Sequence, residues 1–305
     1  MAKPNGMGKQ LPVTATGSEV AVYRARGLYS SQFRHLLQSA ATRLSHGEHK
    51  LTIFTSAYDI VGGSFPPLES LRTAPCPEPS SNSTGTPHPL SQPIDGILVT
   101  GAAPGVYDTD TEPWIKPLES YIQTVYTHYP YVKFFGSCFG HQILAQALLS
   151  SAVKVEVCPH GREMGLVPVS LCPEFIASFP GLEEKLPGTQ KQMRLQMIHG
   201  DWVVPASGPD VELPDGWLNV GSTELCPIQG LLFPGRVLTY QGHFEFDVFI
   251  NRETCLAFGR RLGWDREVVE RFLGLIEREG EEDDSGVAAE VVVRFFAGLD
   301  ACAPV

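Results

Sequence analysis

Residues 132–151, VKFFGSCFGHQILAQALLSS, decide how the rest of the chain is read. Residues 132–135 (VKFF) predict a strand. It passes directly into Gly136-Ser137-Cys138-Phe139-Gly140, and residues 141–151 then carry apolar side chains at helical spacing. Strand, tight turn and helix in that order form a unit of a parallel sheet. So sharp a turn forces strained dihedrals on its central residue, and the flanking glycines allow close approach without a Cβ clash. The form is that of a nucleophile elbow, with the Cys138 thiol held out at the carboxyl end of the sheet. The N-terminus of the following helix favours a thiolate there. The backbone N–H of Phe139 is aimed where an oxyanion would form.

The same alternation extends outward. Upstream, residues 94–100 (IDGILVT) predict a strong buried strand, followed by the tight loop 101–105 (GAAPG) and a helix over 114–127. Residues 18–23 (SEVAVY) predict a first strand, 27–44 a helix with Phe33, Leu36, Leu37, Ala40 and Leu44 on one face, and 50–55 (KLTIFT) a second strand. Downstream, residues 154–236 hold short strands punctuated by Pro and Gly. Residues 237–241 (VLTYQ) form a last strand ending at Gly242-His243-Phe244-Glu245, and helices follow at 247–262, 265–278 and near 287–298. The expectation is an α/β fold: a three-layer sandwich with a mostly parallel central sheet, of flavodoxin-like type. Residues 1–17 read as a loose leader and 18–300 as a single domain. Residues 72–93, dense in Pro, Ser and Thr, read as a flexible loop, and the acidic run at 277–284 reads as a solvated one.

Composition narrows the function classes. Hydrophobic residues at 43% and charged residues at 19% describe an ordinary globular chain, which excludes disorder for the chain as a whole. The net charge of −11 speaks against nucleic acid as a partner. No apolar run approaches the roughly 18 residues that a membrane helix needs. The first residues lack the apolar core of a secretory signal, so a cytoplasmic location is expected. Cysteines stand at 76, 138, 158, 172, 226, 255 and 302, without a C-x-x-C pair, so neither a zinc ribbon nor a thioredoxin-type pair is supported. Cys158, Cys172, Cys226 and Cys255 are taken as structural thiols.

A thiol nucleophile needs a base, and the base needs an orienting group. His243 and Glu245 follow the last strand, and residues two apart in extended backbone project to the same side. Glu245 can then hold His243 with its free nitrogen toward Cys138. The Gly101-Ala102 turn, at the end of another strand, offers a second oxyanion donor. Singly, Cys138 reads equally as a buried thiol, His243 as a capped histidine and Glu245 as a solvated carboxylate. Three such groups at strand ends favour chemistry. His141, on the helix after the elbow, reads as packing or capping.

The chain resembles a class I glutamine amidotransferase domain, in the stand-alone branch that includes γ-glutamyl peptidases. FFGSCFGHQILAQAL (134–148) resembles the nucleophile block, and IDGILVTGAAPGVYD (94–108) resembles the strand and oxyanion loop. GREMGLVPVSL (161–171) resembles the strand pair after the nucleophile helix, IHGDWV (198–203) the H-G-D-x-V segment, and TYQGHFEF (239–246) the block with the catalytic His and Glu. YSSQFRHLL (29–37) and TSAYDIVGGSFP (55–66) resemble the N-terminal part. The resemblance implies catalysis by Cys138, His243 and Glu245, and an oxyanion hole at Gly101 and Phe139. It places Gln142, Ala102, His199, Gly200 and Asp201 against the substrate, although on the residues alone Asp201 reads as a turn residue capping its own backbone. Phe244 stands where the family carries Pro, which removes a backbone restraint beside His243.

The activity this implies is cysteine-based hydrolysis or acyl transfer on a γ-glutamyl amide, a γ-glutamyl peptide or glutathione-type conjugate, through a thioester and with no cofactor or metal. Two alternatives stand beside it: a glutaminase subunit supplying ammonia to a separate synthase, and a non-catalytic binding protein with this fold.

Overall fold

The computed structural model describes residues 17–45, 51–75, 92–186, 191–208, 211–278 and 282–300. In chain order the helices are α1 (Gly17–Arg26), α2 (Tyr29–Leu44), α3 (Ile115–His128), α4 (Phe139–Leu149), α5 (Pro173–Ala177), α6 (Val248–Leu262), α7 (Arg266–Ile276) and α8 (Ser285–Ala297). The strands are β1 (Gly96–Val99), β2 (Lys133–Ser137), β3 (Val153–Val157), β4 (Glu163–Leu171), β5 (Gln192–His199), β6 (Asp201–Pro205), β7 (Leu218–Asn219), β8 (Gly221–Ser222), β9 (Leu231–Phe233) and β10 (Val237–Tyr240). Among the described residues no helix is long and apolar enough to cross a membrane.

The principal sheet has the order β1-β2-β10-β9-β7. Its first three strands run parallel, with Val99 beside Gly136 and Ser137 beside Tyr240. β9 and β7 add antiparallel pairs, so the sheet as a whole is mixed rather than mostly parallel. Two small antiparallel sheets, β3-β6 and β5-β4-β8, accompany it. Successive residues of β2 serve different cores, as a pleated strand requires. Phe134 packs with Ile115, Ile122 and Ile143 of α3 and α4, whereas Phe135 packs with Phe33 of α2, Val292 of α8, Leu195 and Tyr240.

The N-terminal strands predicted from sequence are not formed. Residues 18–23 lie in α1, which packs on α6. Val22 joins the cluster around Ile250 and Phe246, and Arg26, one turn on, pairs with Asp247 at 2.7 Å. Tertiary contact on one helical face overrides a weak strand propensity. Residues 51–55 keep the alternation of a strand, with Leu51 and Ile53 against the core, but pair with no strand among the described residues. Side chains of α2 serve instead: Gln38 donates to the Ile53 carbonyl and Arg34 to Thr55 Oγ1. The acidic run is not simply solvated either. Asp284 is buried and accepts from the backbone and guanidinium of Arg194. The leader over residues 1–16, most of the 72–93 loop, and the cysteines at 76 and 302 lie outside the described residues.

The glycines of the elbow are required by close approach. A Cβ on Gly140 would stand 2.1 Å from the Val99 carbonyl oxygen, and one on Gly136 would stand 2.4 Å from that of Gly140. Both neighbours are backbone and cannot swing aside. Gly140→Ala is therefore expected to cost about 1–3 kcal/mol or more through overpacking, read as a lower denaturation midpoint in urea. An unchanged midpoint would contradict this packing.

Candidate active site

The parallel register brings three strand ends to one edge. Cys138 follows β2 with φ 52° and ψ −107°, the strained conformation anticipated for an elbow. Its N–H donates to the Tyr240 carbonyl at 2.9 Å, which ties the elbow to the end of β10. Three residues on, His243 donates its backbone N–H to the Gln196 carbonyl of β5 at 2.8 Å. From β1, Gly101 completes the edge: a Cβ there would lie 3.0 Å from His243 Cε1 and 3.7 Å from Cys138 Cβ.

His243 and Glu245 meet as expected. His243 Nδ1 donates to Glu245 Oε1 at 2.7 Å, and both side chains are almost fully buried. Ser137 Oγ also lies 3.4 Å from each carboxylate oxygen. The His243 ring stacks on Phe246 at 4.1 Å. Phe244, in the place of the family's Pro, turns the other way. It is fully buried, with edge contacts to Phe33, Phe135 and Tyr240. The restraint on the His243–Glu245 turn thus comes from an aromatic anchor in the core.

Burial by itself would push His243 toward its neutral form. The Glu245 carboxylate and the Cys138 sulfur outweigh it, and lift the pKa from 6.5 to about 10. The pair is therefore arranged as an imidazolium between two negative groups. Burial dominates elsewhere: it pushes the Cys226 thiol up to about 12 and Cys255 up to about 11, in keeping with structural roles. His141, buried and with its Nδ1 2.8 Å from Thr239 Oγ1, is pushed down to about 3 by burial and the nearby charge of His199.

The remaining predicted residues fall into two groups. Phe139 opens α4, where first-turn N–H groups have no intrahelical partner, and Gly101 faces the thiol from the next strand. Ala102, one residue on, is exposed. Gln142 donates from Nε2 to the Asp201 carbonyl at 3.2 Å and to Gln241 Oε1 at 3.1 Å. The Asp201 carboxylate accepts from the Tyr107 hydroxyl at 3.0 Å; burial pushes its pKa up, against the pull of that hydroxyl and of Arg162. Gly200 lies under the Arg162 guanidinium, where a Cβ would stand 2.5 Å from Nη1. His199, expected to grip the substrate, is instead turned inward. Its Nδ1 lies against the Asp201 carbonyl oxygen and its Nε2 against Glu163 Oε2, both at 2.9 Å.

Four residues at the site were not singled out from sequence: Tyr29, Tyr107, Glu163 and Gln241. Tyr29, the first residue of α2, donates its hydroxyl to Glu245 Oε1 at 2.9 Å and lies 3.2 Å from His243 Nδ1. Gln241 donates to Cys138 Sγ at 3.6 Å. Each stands inside or beside a stretch whose resemblance was evident, but neither residue type at those positions announces chemistry.

No family model matches the chain. It is 34% identical over 206 residues to a candidate glutamine amidotransferase of Saccharomyces cerevisiae, covering 66% of this chain and 71% of that one. It is 30% identical over 204 residues to a candidate glutamine amidotransferase-like protein of Schizosaccharomyces pombe, covering 67% and 72%. The chain belongs to the class I glutamine amidotransferase-like family. The crystal structure of a glutamine amido transferase from Methylobacillus flagellatus shares the fold, with a TM-score of 0.50 at 20% identity over 69% of this chain and 79% of that one.

Three measurements follow. A histidine whose pKa is raised on folding contributes stability that is fully present below pH about 6.5 and lost as pH rises through about 10. Glu245→Gln removes the largest counter-charge, so the thermal midpoint of this variant should fall less than the wild type's between pH 6.5 and 10. Ring NMR should also show His243 titrating lower, and an unchanged titration would contradict the assigned pairing. Tyr29→Phe keeps the ring and removes a buried hydrogen bond to a carboxylate, at an expected cost of about 1.5–3 kcal/mol in chemical denaturation; no change in stability would mean that the hydroxyl contributes nothing.

Proposed function

We propose that the chain is a cysteine-dependent amidohydrolase or acyl transferase acting on γ-glutamyl amides, with γ-glutamyl peptides and glutathione-type conjugates as its substrate class. The observation that carries this reading is the strained Cys138 elbow beside a buried, charge-balanced His243–Glu245 pair. Membership of an amidotransferase-like family supports the general reaction.

The Cys138 thiolate attacks the γ-carbonyl carbon, forming a C–S bond and shifting the carbonyl electron pair onto oxygen. The N–H groups of Phe139 and Gly101 receive that oxyanion. As the tetrahedral intermediate collapses, the C–N bond breaks and the His243 imidazolium gives its Nε2 proton to the leaving amine. Neutral His243 then takes a proton from water, whose oxygen attacks the thioester carbonyl. Cys138 leaves as thiolate and the γ-glutamyl acid is released; a second amine in place of water gives transfer. Glu245 holds Nδ1–H throughout, so Nε2 faces the sulfur. Gln142 and Asp201 border the substrate's amino-acid end, with the Asp201 carboxylate facing its α-ammonium group.

Glutamate release from glutathione, a γ-glutamyl conjugate and glutamine tests the reading. Release from glutathione or the conjugate is expected, and Cys138→Ala should lower it on the order of 10³-fold or more. Release from glutamine alone would move the reading to ammonia supply for a separate synthase. No release from any of the three by folded protein would sink the substrate class.

A further inference from the structure

A chain of hydrogen bonds runs from a second buried His–Glu pair to the candidate nucleophile. Glu163 accepts from Thr223 Oγ1 at 2.5 Å, from Gln229 Nε2 at 2.5 Å and from His199 Nε2 at 2.9 Å. His199 Nδ1 faces the Asp201 carbonyl, which can only accept. The same carbonyl accepts from Gln142, whose amide nitrogen also donates to Gln241 Oε1. Gln241 Nε2 lies 3.6 Å from Cys138 Sγ. All the side chains of this ladder, Glu163, His199, Gln142 and Gln241, are buried.

We infer that this ladder fixes the amide of Gln241 as a hydrogen-bond donor to the Cys138 thiolate. Gln241 is a catalytic residue of the proposed reaction, and Gln142, His199 and Glu163 are positioning residues behind it. The inference rests on Cys138 being the nucleophile. A primary amide has a donor end and an acceptor end, and a free glutamine can turn either toward a neighbour. Here the first acceptor is a backbone carbonyl, so Gln142 must present NH₂ to it. The other hydrogen of that NH₂ claims the oxygen of Gln241. The NH₂ of Gln241 is then left facing the sulfur. Reversing Gln241 would set its oxygen against the thiolate and break the bond to Gln142. The contacts of His199 with Glu163 and with the Asp201 carbonyl hold that carbonyl, at which the ladder begins. Charge-assisted bonds to a thiolate stabilise it over the thiol, so the ladder adds to the Cys138 sulfur a donor distinct from His243.

Cys138 also faces His243 and the Tyr29 hydroxyl, with Glu245 hydrogen-bonded to both; the variants below leave all three in place. The test is the rate of Cys138 carboxamidomethylation by iodoacetamide from pH 4 to 10, followed by mass spectrometry of the Cys138 peptide, on the full chain. It requires no substrate, so its outcome is separable from the assay of glutamate release. Gln241→Leu removes the donor and should slow alkylation at pH 7 about tenfold, with the profile moved about one unit alkaline. Gln241→Glu keeps the volume, presents only acceptors when ionised, and should slow it further. Gln142→Leu leaves Gln241 free to turn and should give a smaller shift in the same direction. Wild-type profiles in both Gln241 variants would overturn the assignment of Gln241. A wild-type profile in Gln142→Leu beside a shifted Gln241→Leu would overturn the ladder. Should Gln241→Leu fail to fold, the near-isosteric Gln241→Glu decides the donor and Gln142→Leu the ladder.

Discussion

The pairing of β2 with β10 is the constraint on which the site depends. Ser137 stands beside Tyr240, and the next N–H along, that of Cys138, is taken by the Tyr240 carbonyl. Sliding this register by one residue would exchange the faces of Phe134 and Phe135 between two well-filled cores, so it is strongly specified. With the register set, the chain leaving β2 and the chain leaving β10 must share one edge. The thiol and the imidazole meet there although 104 residues separate them. The close seat of Gly140 on the Val99 carbonyl then draws in the end of β1, and with it Gly101.

Charge at this edge is arranged by burial rather than spread by solvent. An imidazolium held between a carboxylate and a sulfur would be unfavourable if either negative group were missing. Removing water makes the three mutually dependent; Phe246 stacks on the His243 ring, and the side chains of His243 and Glu245 are almost fully buried. The second His–Glu pair follows the same logic within β4 and β5, where its carboxylate is also satisfied by Thr223 and Gln229.

The parts of this arrangement carried by local pattern were legible in the sequence. The elbow at 136–140 has strand, turn and helix signals within twenty residues, and His243 and Glu245 stand two apart at a strand end. The helices α3, α4, α6, α7 and α8 show apolar spacing of their own. What was not legible depends on partners far away in the chain. Residues 18–23 are helical because α6 is there to receive Val22. Residues 51–55 alternate like a strand yet bond to helix side chains. His199 sits in a motif suggestive of substrate contact, but Glu163 and the Asp201 carbonyl occupy both of its nitrogens. Tyr29 and Gln241 carry no local signal, since a tyrosine opening a helix and a glutamine ending a strand are unremarkable until the fold juxtaposes them with Glu245 and Cys138.

The clamp between Arg26 and Asp247 has a further consequence. Asp247 caps α6, immediately after the His243–Glu245 turn, and Arg26 lies three residues before Tyr29. The first helices are thereby fastened to the back of the site, 221 positions away in sequence. During synthesis the elbow cysteine emerges long before its base, and the tyrosine waits longer still for the carboxylate that it contacts. The thiol therefore emerges from synthesis before the imidazole that is to face it. The site is completed only when these two segments, distant in sequence, dock: a long-range contact of the kind that slows folding.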